Sequence, residues 1–240
     1  KDGNLILSFI KSFFITIVEV PISQDFNNSF NPENDLAVLF PRLNKVAYRR
    51  FLSMLGKLSG SILNKRDLAG AIEVSEPTIT QYLDIAHGTY LWRKIPSFHH
   101  SAVKSIIKMP KGHIRDTGLL HAFLKIQDMD NLLIDPIVGR SFEAFVIEEI
   151  IKGLQATLAT NWDPFFYRTK SGAEIDLIIE GPFGLLPIEI KHGVKVQMKQ
   201  LQALSNFVKD HQLPFGLLVN QGHEIKQLSR EILQVPIQFL

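Results

Sequence analysis

From Tyr167 to Lys191 the chain reads YRTKSGAEIDLIIEGPFGLLPIEIK, and few folds accommodate such a stretch. Ala173–Ile179 alternates, with Glu174, Asp176 and Ile178 on one face and Ile175, Leu177 and Ile179 on the other, the two-residue period of a strand. Gly181, Pro182 and Gly184 mark a turn, and Leu185–Lys191 follows as a second strand, so the two read as a hairpin. Two residues of strand rise put Glu189 and Lys191 about 6.6 Å apart on one face. Three ionisable groups, Asp176, Glu189 and Lys191, therefore end two apolar strands.

One chemistry that uses this grouping is metal-assisted phosphodiester hydrolysis, where the ion polarises the phosphoryl group and supplies hydroxide at neutral pH. Mg²⁺ takes hard oxygen ligands, commonly one or two carboxylates with retained waters, and Mn²⁺ suits a similar oxygen site. Asp176 and Glu189 supply the pair, and Lys191 would orient the attacking water and offset phosphate charge. Glu143, on a helix predicted over Arg140–Leu154, would complete an acidic metal site, and Gln200 would contact water or substrate. The same residues have a structural reading. Asp176 and Glu189 would then be the solvated face of a half-covered sheet, with Lys191 as their cross-strand partner. Glu143 would favour the start of its helix through the dipole, and Gln200 would be a surface glutamine.

Charge is unevenly divided along the chain. Residues 41–125 hold 14 Lys/Arg against 5 Asp/Glu, a net +9 within a total of +2. A basic middle points to a polyanion partner, with DNA the expectation. The chain has no cysteine, which excludes disulfide scaffolds, thiol catalysis and cysteine-bound zinc, and makes cytoplasmic residence the expectation. Leu5–Ile22 is nearly all apolar, but Lys11, Glu19 and Pro21 make it a poor membrane span and a better buried helix. No membrane partner is expected.

The basic middle itself reads as a winged helix-turn-helix. Val46, Phe51, Leu52, Leu55 and Leu58 line a first helix closing near Gly60, and Asn64–Ala71 makes a second. Ser75 and Pro77 open a third helix running to Ala86, and strands over Tyr90–Ile95 and Val103–Met109 form the wing, separated by a loop over Pro96–Ser101. Pro110–Thr117 reads as a connection, and Glu73 stands where the turn often has glycine. On this reading Thr78, Thr80 and Gln81 reach base edges, and Lys65, Arg66, Arg93, Lys94 and Lys104 reach phosphates. A docking role on a neighbouring domain accounts equally for such a module. His99, His100 and Asp116 lack ligand spacing and read as loop groups.

The proline-closed run Asp128–Pro136 is the expected boundary, giving 1–42 as a helical junction, 43–127 as the winged helix and 128–240 as a mixed-sheet domain. Strands over Phe165–Thr169 and Phe215–Val219, a helix over Gln197–His211 and a tail helix over Glu224–Leu233 complete an α/β order, α+β for the whole chain.

Four motifs in linked order carry a family resemblance: MPKGHIRDTGLLH from Met109, GRSFEAFVIEEI from Gly139, YRTKSGAEID from Tyr167 and PIEIK from Pro187. Over nearly all of residues 43–220 the chain resembles the C-terminal region of a prokaryotic AAA-type (P-loop) ATPase family. In that family an ATPase domain precedes a winged helix and a domain of unknown function with a PD-(D/E)XK, restriction-endonuclease-like fold. The resemblance implies a site of Glu143, Asp176, Glu189 and Lys191, with Ile175-Asp176 in place of the PD pair. It also implies that Leu5–Ile22 belongs to the ATPase part or its junction, and that the partner of these residues is an upstream ATPase domain. No G-x-x-x-x-G-K-[ST] loop occurs in these residues, so they carry no ATP site. A Mg²⁺-dependent deoxyribonuclease and a catalytically inactive docking module of the same fold both remain open.

Overall fold

The computed structural model describes Phe40 and residues 43–98 and 109–240. Leu5–Ile22, His99, His100 and Lys104 lie outside these residues. Chain contacts divide the described residues into an N-terminal unit (residues 40–94 and 109–144) and a C-terminal unit (residues 95–98 and 145–240). The class is α+β, with helices and mixed sheets.

In the N-terminal unit, Asn44 accepts from the Ala47 amide at 3.1 Å and opens α1 (Lys45–Lys57). The helix buries Tyr48, Phe51, Leu52 and Leu55, one stripe at helical spacing. Strand β1 (Ser61–Ile62) leads to α2 (Lys65–Ile72), capped by Asn64. This helix stops because Glu73 turns left-handed, at φ 60° and ψ 46°. A glutamate thus occupies the conformation for which a glycine was expected. Ser75 then caps α3 (Glu76–Gly88), with Pro77 in its first turn. The rings of Tyr48, Phe51 and Tyr82 meet at 5.1–5.5 Å between centroids. Burial, and then the neighbouring Tyr82, push the Tyr48 hydroxyl pKa far up.

The wing differs from the sequence expectation. β2 (Trp92–Ile95) is where it was placed, and it neighbours β3 (Lys111–Ile114), inside the segment that reads as a connection. Residues 103–108 of the expected second wing strand lie outside the described residues. The sheet order is β1-β3-β2, with β1 antiparallel to β3. All four residues of β3 are buried, so no apolar–polar alternation marks it. Gly112 is the reason this strand packs: a Cβ there would lie 2.2 Å from Cζ2 of Trp92. Gly112→Ala is therefore expected to destabilise the unit by about 1–3 kcal/mol, read as a lower urea midpoint.

Asp116 caps α4 (Thr117–Leu124) through the Leu119 amide at 2.8 Å, so it is a structural group. Nε2 of His121, on this helix, lies 2.8 Å from Ser141 Oγ, and burial lowers the His121 pKa. The expected boundary run is no linker but a further short helix, α5 (Met129–Ile134), capped by Asp128. By chain contacts the two units divide between Ala144 and Phe145, inside the continuous helix α6 (Val138–Gln155).

The C-terminal unit holds a six-stranded sheet. Its strands are β4 (Asp163–Arg168), β5 (Glu174–Gly181), β6 (Gly184–Lys191), β7 (Gly216–Asn220), β8 (Lys226–Gln227) and β9 (Ile232–Pro236). The order is β4-β5-β6-β7-β9-β8, antiparallel through β6, parallel from β6 to β7 and β9, and antiparallel again at β8. A 3-10 turn (Met198–Leu201) and α7 (Gln202–Asp210) connect β6 to β7, as a parallel crossover requires. Leu201, Leu204 and Phe207 pack with Ile175, Ile178, Leu218 and Ile232.

Two expectations are corrected here. The tail helix over Glu224–Leu233 is absent: Ile225, Leu228 and Ile232 mimic helical spacing, but the open edge of β7 recruits Ile232–Pro236 as a strand. Residues 96–98 serve this sheet rather than a wing loop. Phe98 donates its amide to the Phe166 carbonyl at 2.7 Å, and its ring lies 5.9 Å from that of Phe207.

Candidate active site at the open end of the β5–β6 hairpin

The hairpin closes through Pro182-Phe183, with Gly181 paired to Gly184 and Gly184 at φ +92°. From there the ladder runs to Leu177↔Ile188 and stops. On its other side β5 bulges. Phe165 faces Ile178 and Tyr167 faces Ile175, so Asp176 and Leu177 together oppose Phe166. Strict alternation would separate Ile175 from Ile178, yet both lie in the core beneath α7. The extra residue re-aims Asp176.

Its carboxylate now does what a backbone carbonyl would do in an unbroken ladder. Asp176 Oδ2 accepts the Ile190 amide at 2.8 Å. Lys191 Nζ lies 2.5 Å from Glu189 Oε1 and 4.0 Å from Asp176 Oδ2. Asp176 and Glu189 are only 6% and 5% exposed, whereas the Lys191 side chain is 33% exposed. These carboxylates are therefore not the solvated face of a half-covered sheet. Carboxylates this buried are rare unless paired or bound to a cation. Two of them with one ammonium leave a formal charge of −1, which a divalent cation would reverse.

The donor set suits Mg²⁺ in one respect: it offers hard oxygens from two strands, and such an ion keeps waters for its other positions. Among the described residues, no group of three or more His, Cys, Asp or Glu is placed to hold a metal. The remaining candidates are engaged elsewhere. Glu143 belongs to the N-terminal unit, where its Oε1 lies 2.6 Å from Lys111 Nζ in a nearly dry ion pair. The side chain of Gln200 accepts the Gln197 amide at 3.0 Å and closes the capping box of the 3-10 turn.

Two residues escaped the sequence reading. Glu148 is 1% exposed on α6, in the same buried stripe as Ala144, Ile147 and Ile151. Helical spacing alone would have flagged a carboxylate in that stripe. Asn220 is fully buried at the end of β7, in register with Lys191. Its amide nitrogen donates to the Val194 carbonyl and to Gln234 Oε1, each at 3.2 Å, while its oxygen accepts the Gly222 amide at 3.0 Å. An asparagine closing an apolar run reads only as the start of a loop.

Five of the candidate DNA contacts of the N-terminal unit line two concavities that share Asp84. Lys65, Arg66 and Lys94 line a cavity of about 520 Å³, together with Glu76, Asp84 and Trp92. Thr80 and Gln81 line a second concavity beside Pro77 and Gly88. Lys65 Nζ donates to Thr80 Oγ1 at 3.0 Å, and the Thr78 hydroxyl lies 2.8 Å from that of Ser75. Gln81 is exposed and Arg93 half-buried.

Comparison with known proteins places two domain matches on this chain. Residues 138–240 match a domain of unknown function, DUF4143, and residues 27–130 match another, DUF8612. Two uncharacterized mycobacterial proteins, Mb2031c of Mycobacterium bovis and Rv2008c of Mycobacterium tuberculosis, are each 33% identical over 208 residues. The match covers 85% of this chain and 45% of each relative, so the chain spans about half the length of those proteins. No solved structure matches it. No helix among the described residues is long and apolar enough to cross a membrane.

Proposed function

We propose that this chain is the C-terminal part of an AAA-type ATPase, and that its C-terminal unit is a Mg²⁺-dependent deoxyribonuclease of PD-(D/E)XK type. The observation that carries the reading is the buried Asp176–Glu189 pair with Lys191 within 4.0 Å of both. The element order supports it: a helix, an antiparallel three-stranded meander, a helix and a strand parallel to β6. So does the domain matched over residues 138–240, which is often found in AAA-ATPase-associated proteins.

Asp176 and Glu189 would hold the ion, which would supply Lewis acidity for phosphodiester hydrolysis. Lys191 orients the attacking water from the open side of the pair. Ile190 fixes Asp176 through its amide, which would hold the carboxylate oriented for a cation. The N-terminal unit brings DNA to the site through its basic residues.

The test is Mg²⁺- or Mn²⁺-dependent cleavage of DNA by the wild type and by Lys191→Ala. A loss of about 10²-fold in the variant supports the reading. Equal rates, or no cleavage by either, overturn it. A second reading, a docking module without catalysis, is favoured by the 2.5 Å pairing of Lys191 with Glu189, which already offsets one carboxylate. Metal binding without cleavage would select it.

A further inference from the structure

The basic residues of the C-terminal unit are concentrated at one end of its sheet. Among the described residues the unit contains nine Lys/Arg, and five of them are Arg168, Lys170, Lys191, Lys195 and Lys199. Arg168 ends β4 opposite Glu174, and Lys191 ends β6 opposite Asn220. In the antiparallel meander the end of β4, the start of β5 and the end of β6 lie at the same end, so Arg168, Glu174, Lys191 and Asn220 share it. The opposite end of the meander is acidic, with Asp163 paired to Glu180. Such a gradient has no structural need, since like charges placed in register are unfavourable.

The segment carrying Lys195 and Lys199 is held at two points. Asn220 bonds the Val194 carbonyl, and the Gln197–Gln200 capping box closes the turn that follows. Lys170, Lys195 and Lys199 are all exposed. Arg168 gives Nη1 to Glu174 at 3.1 Å, while its Nε has no hydrogen-bond partner. That nitrogen is buried, but the side chain as a whole is 41% exposed, so the guanidinium keeps its charge within reach of an oxyanion.

We infer that Arg168, Lys170, Lys195 and Lys199 form the track that holds a nucleic-acid phosphate backbone across the Asp176–Glu189 pair. The inference rests on the nuclease reading for its substrate class. Asn220 is a positioning residue, because it fixes the Lys195 segment beside Lys191.

Binding of a fluorescein-labelled 20-base-pair duplex to the full chain in EDTA tests this, with anisotropy read across a salt series. Removing three phosphate contacts by Lys170→Gln/Lys195→Gln/Lys199→Gln is expected to make the slope of log K against log salt shallower by about 3. Affinity should fall at least tenfold at low salt, with the circular dichroism unchanged. The same change should appear in a Lys65→Gln/Arg66→Gln background, since contacts in the other unit add to the slope independently. Unchanged slope and affinity, or no duplex binding by the wild type, overturn the track. If the wild type cleaves DNA while the triple variant binds as it does, only the track fails. If the triple variant loses affinity while the wild type never cleaves, the track stands and the nuclease reading fails.

Discussion

Asp176→Asn is expected to lower Mg²⁺-dependent DNA cleavage by about 10³-fold while leaving the fold intact, and Asp176→Ala to lower both cleavage and stability. The difference follows from the two roles that one oxygen plays. Oδ2 accepts the Ile190 amide at 2.8 Å just beyond the last ladder pair. An asparagine oxygen can still accept that hydrogen bond, but it removes the negative charge that a hard cation needs. What remains is Glu189 with Lys191 at 2.5 Å, a neutral pair with little attraction for Mg²⁺. Alanine removes the acceptor as well, leaving a buried amide unsatisfied at a loss of about 1–3 kcal/mol. Initial cleavage rates and urea midpoints for the two variants separate charge from hydrogen bonding. Wild-type cleavage by Asp176→Asn would remove this carboxylate from the metal site.

The grouping at this site was legible because strand periodicity is a local property. Alternation over Ala173–Ile179 and the glycines around Pro182 place Asp176, Glu189 and Lys191 at one end of a hairpin, where the structure also has them. The bulge was not legible. One extra residue opposite Phe166 depends on β4, not on any pattern within β5, and it moved Ile178 away from the face assigned to it.

The tail failed for a similar reason. Ile225, Leu228 and Ile232 satisfy a helical period, and only the unpaired edge of β7 makes Ile232–Pro236 a strand. β3 is the opposite case, since Lys111, Gly112, His113 and Ile114 carry no period at all. Its partners are a serine hydroxyl and an indole ring far away in sequence. Ser59 Oγ takes the Ile114 amide at 3.0 Å, and Trp92 fills the space beside Gly112. Among the helices, α1 was readable from its apolar stripe and α3 from its cap, because Ser75 acts on the Thr78 amide three residues away. The caps Asn44 and Asn64 went unread.

Lys111→Met is expected to destabilise the N-terminal unit by about 3–5 kcal/mol, with most of that loss recovered in Lys111→Met/Glu143→Leu. Lys111 Nζ and Glu143 Oε1 are 2.6 Å apart, with side chains 7% and 14% exposed. Removing the ammonium alone strands a carboxylate in a nearly dry environment, whereas removing both replaces the pair by apolar contacts. The unfolding signal can be isolated, since the chain has only two tryptophans and Trp92 belongs to this unit. Trp162→Phe leaves Trp92 as the single reporter for urea titrations. The cycle also decides the role of Glu143, which family resemblance assigns to the metal site and the structure pairs with β3. Near wild-type cleavage by a stable double variant makes Glu143 a residue of the fold. A stable double variant that has lost cleavage gives Glu143 a part in the reaction.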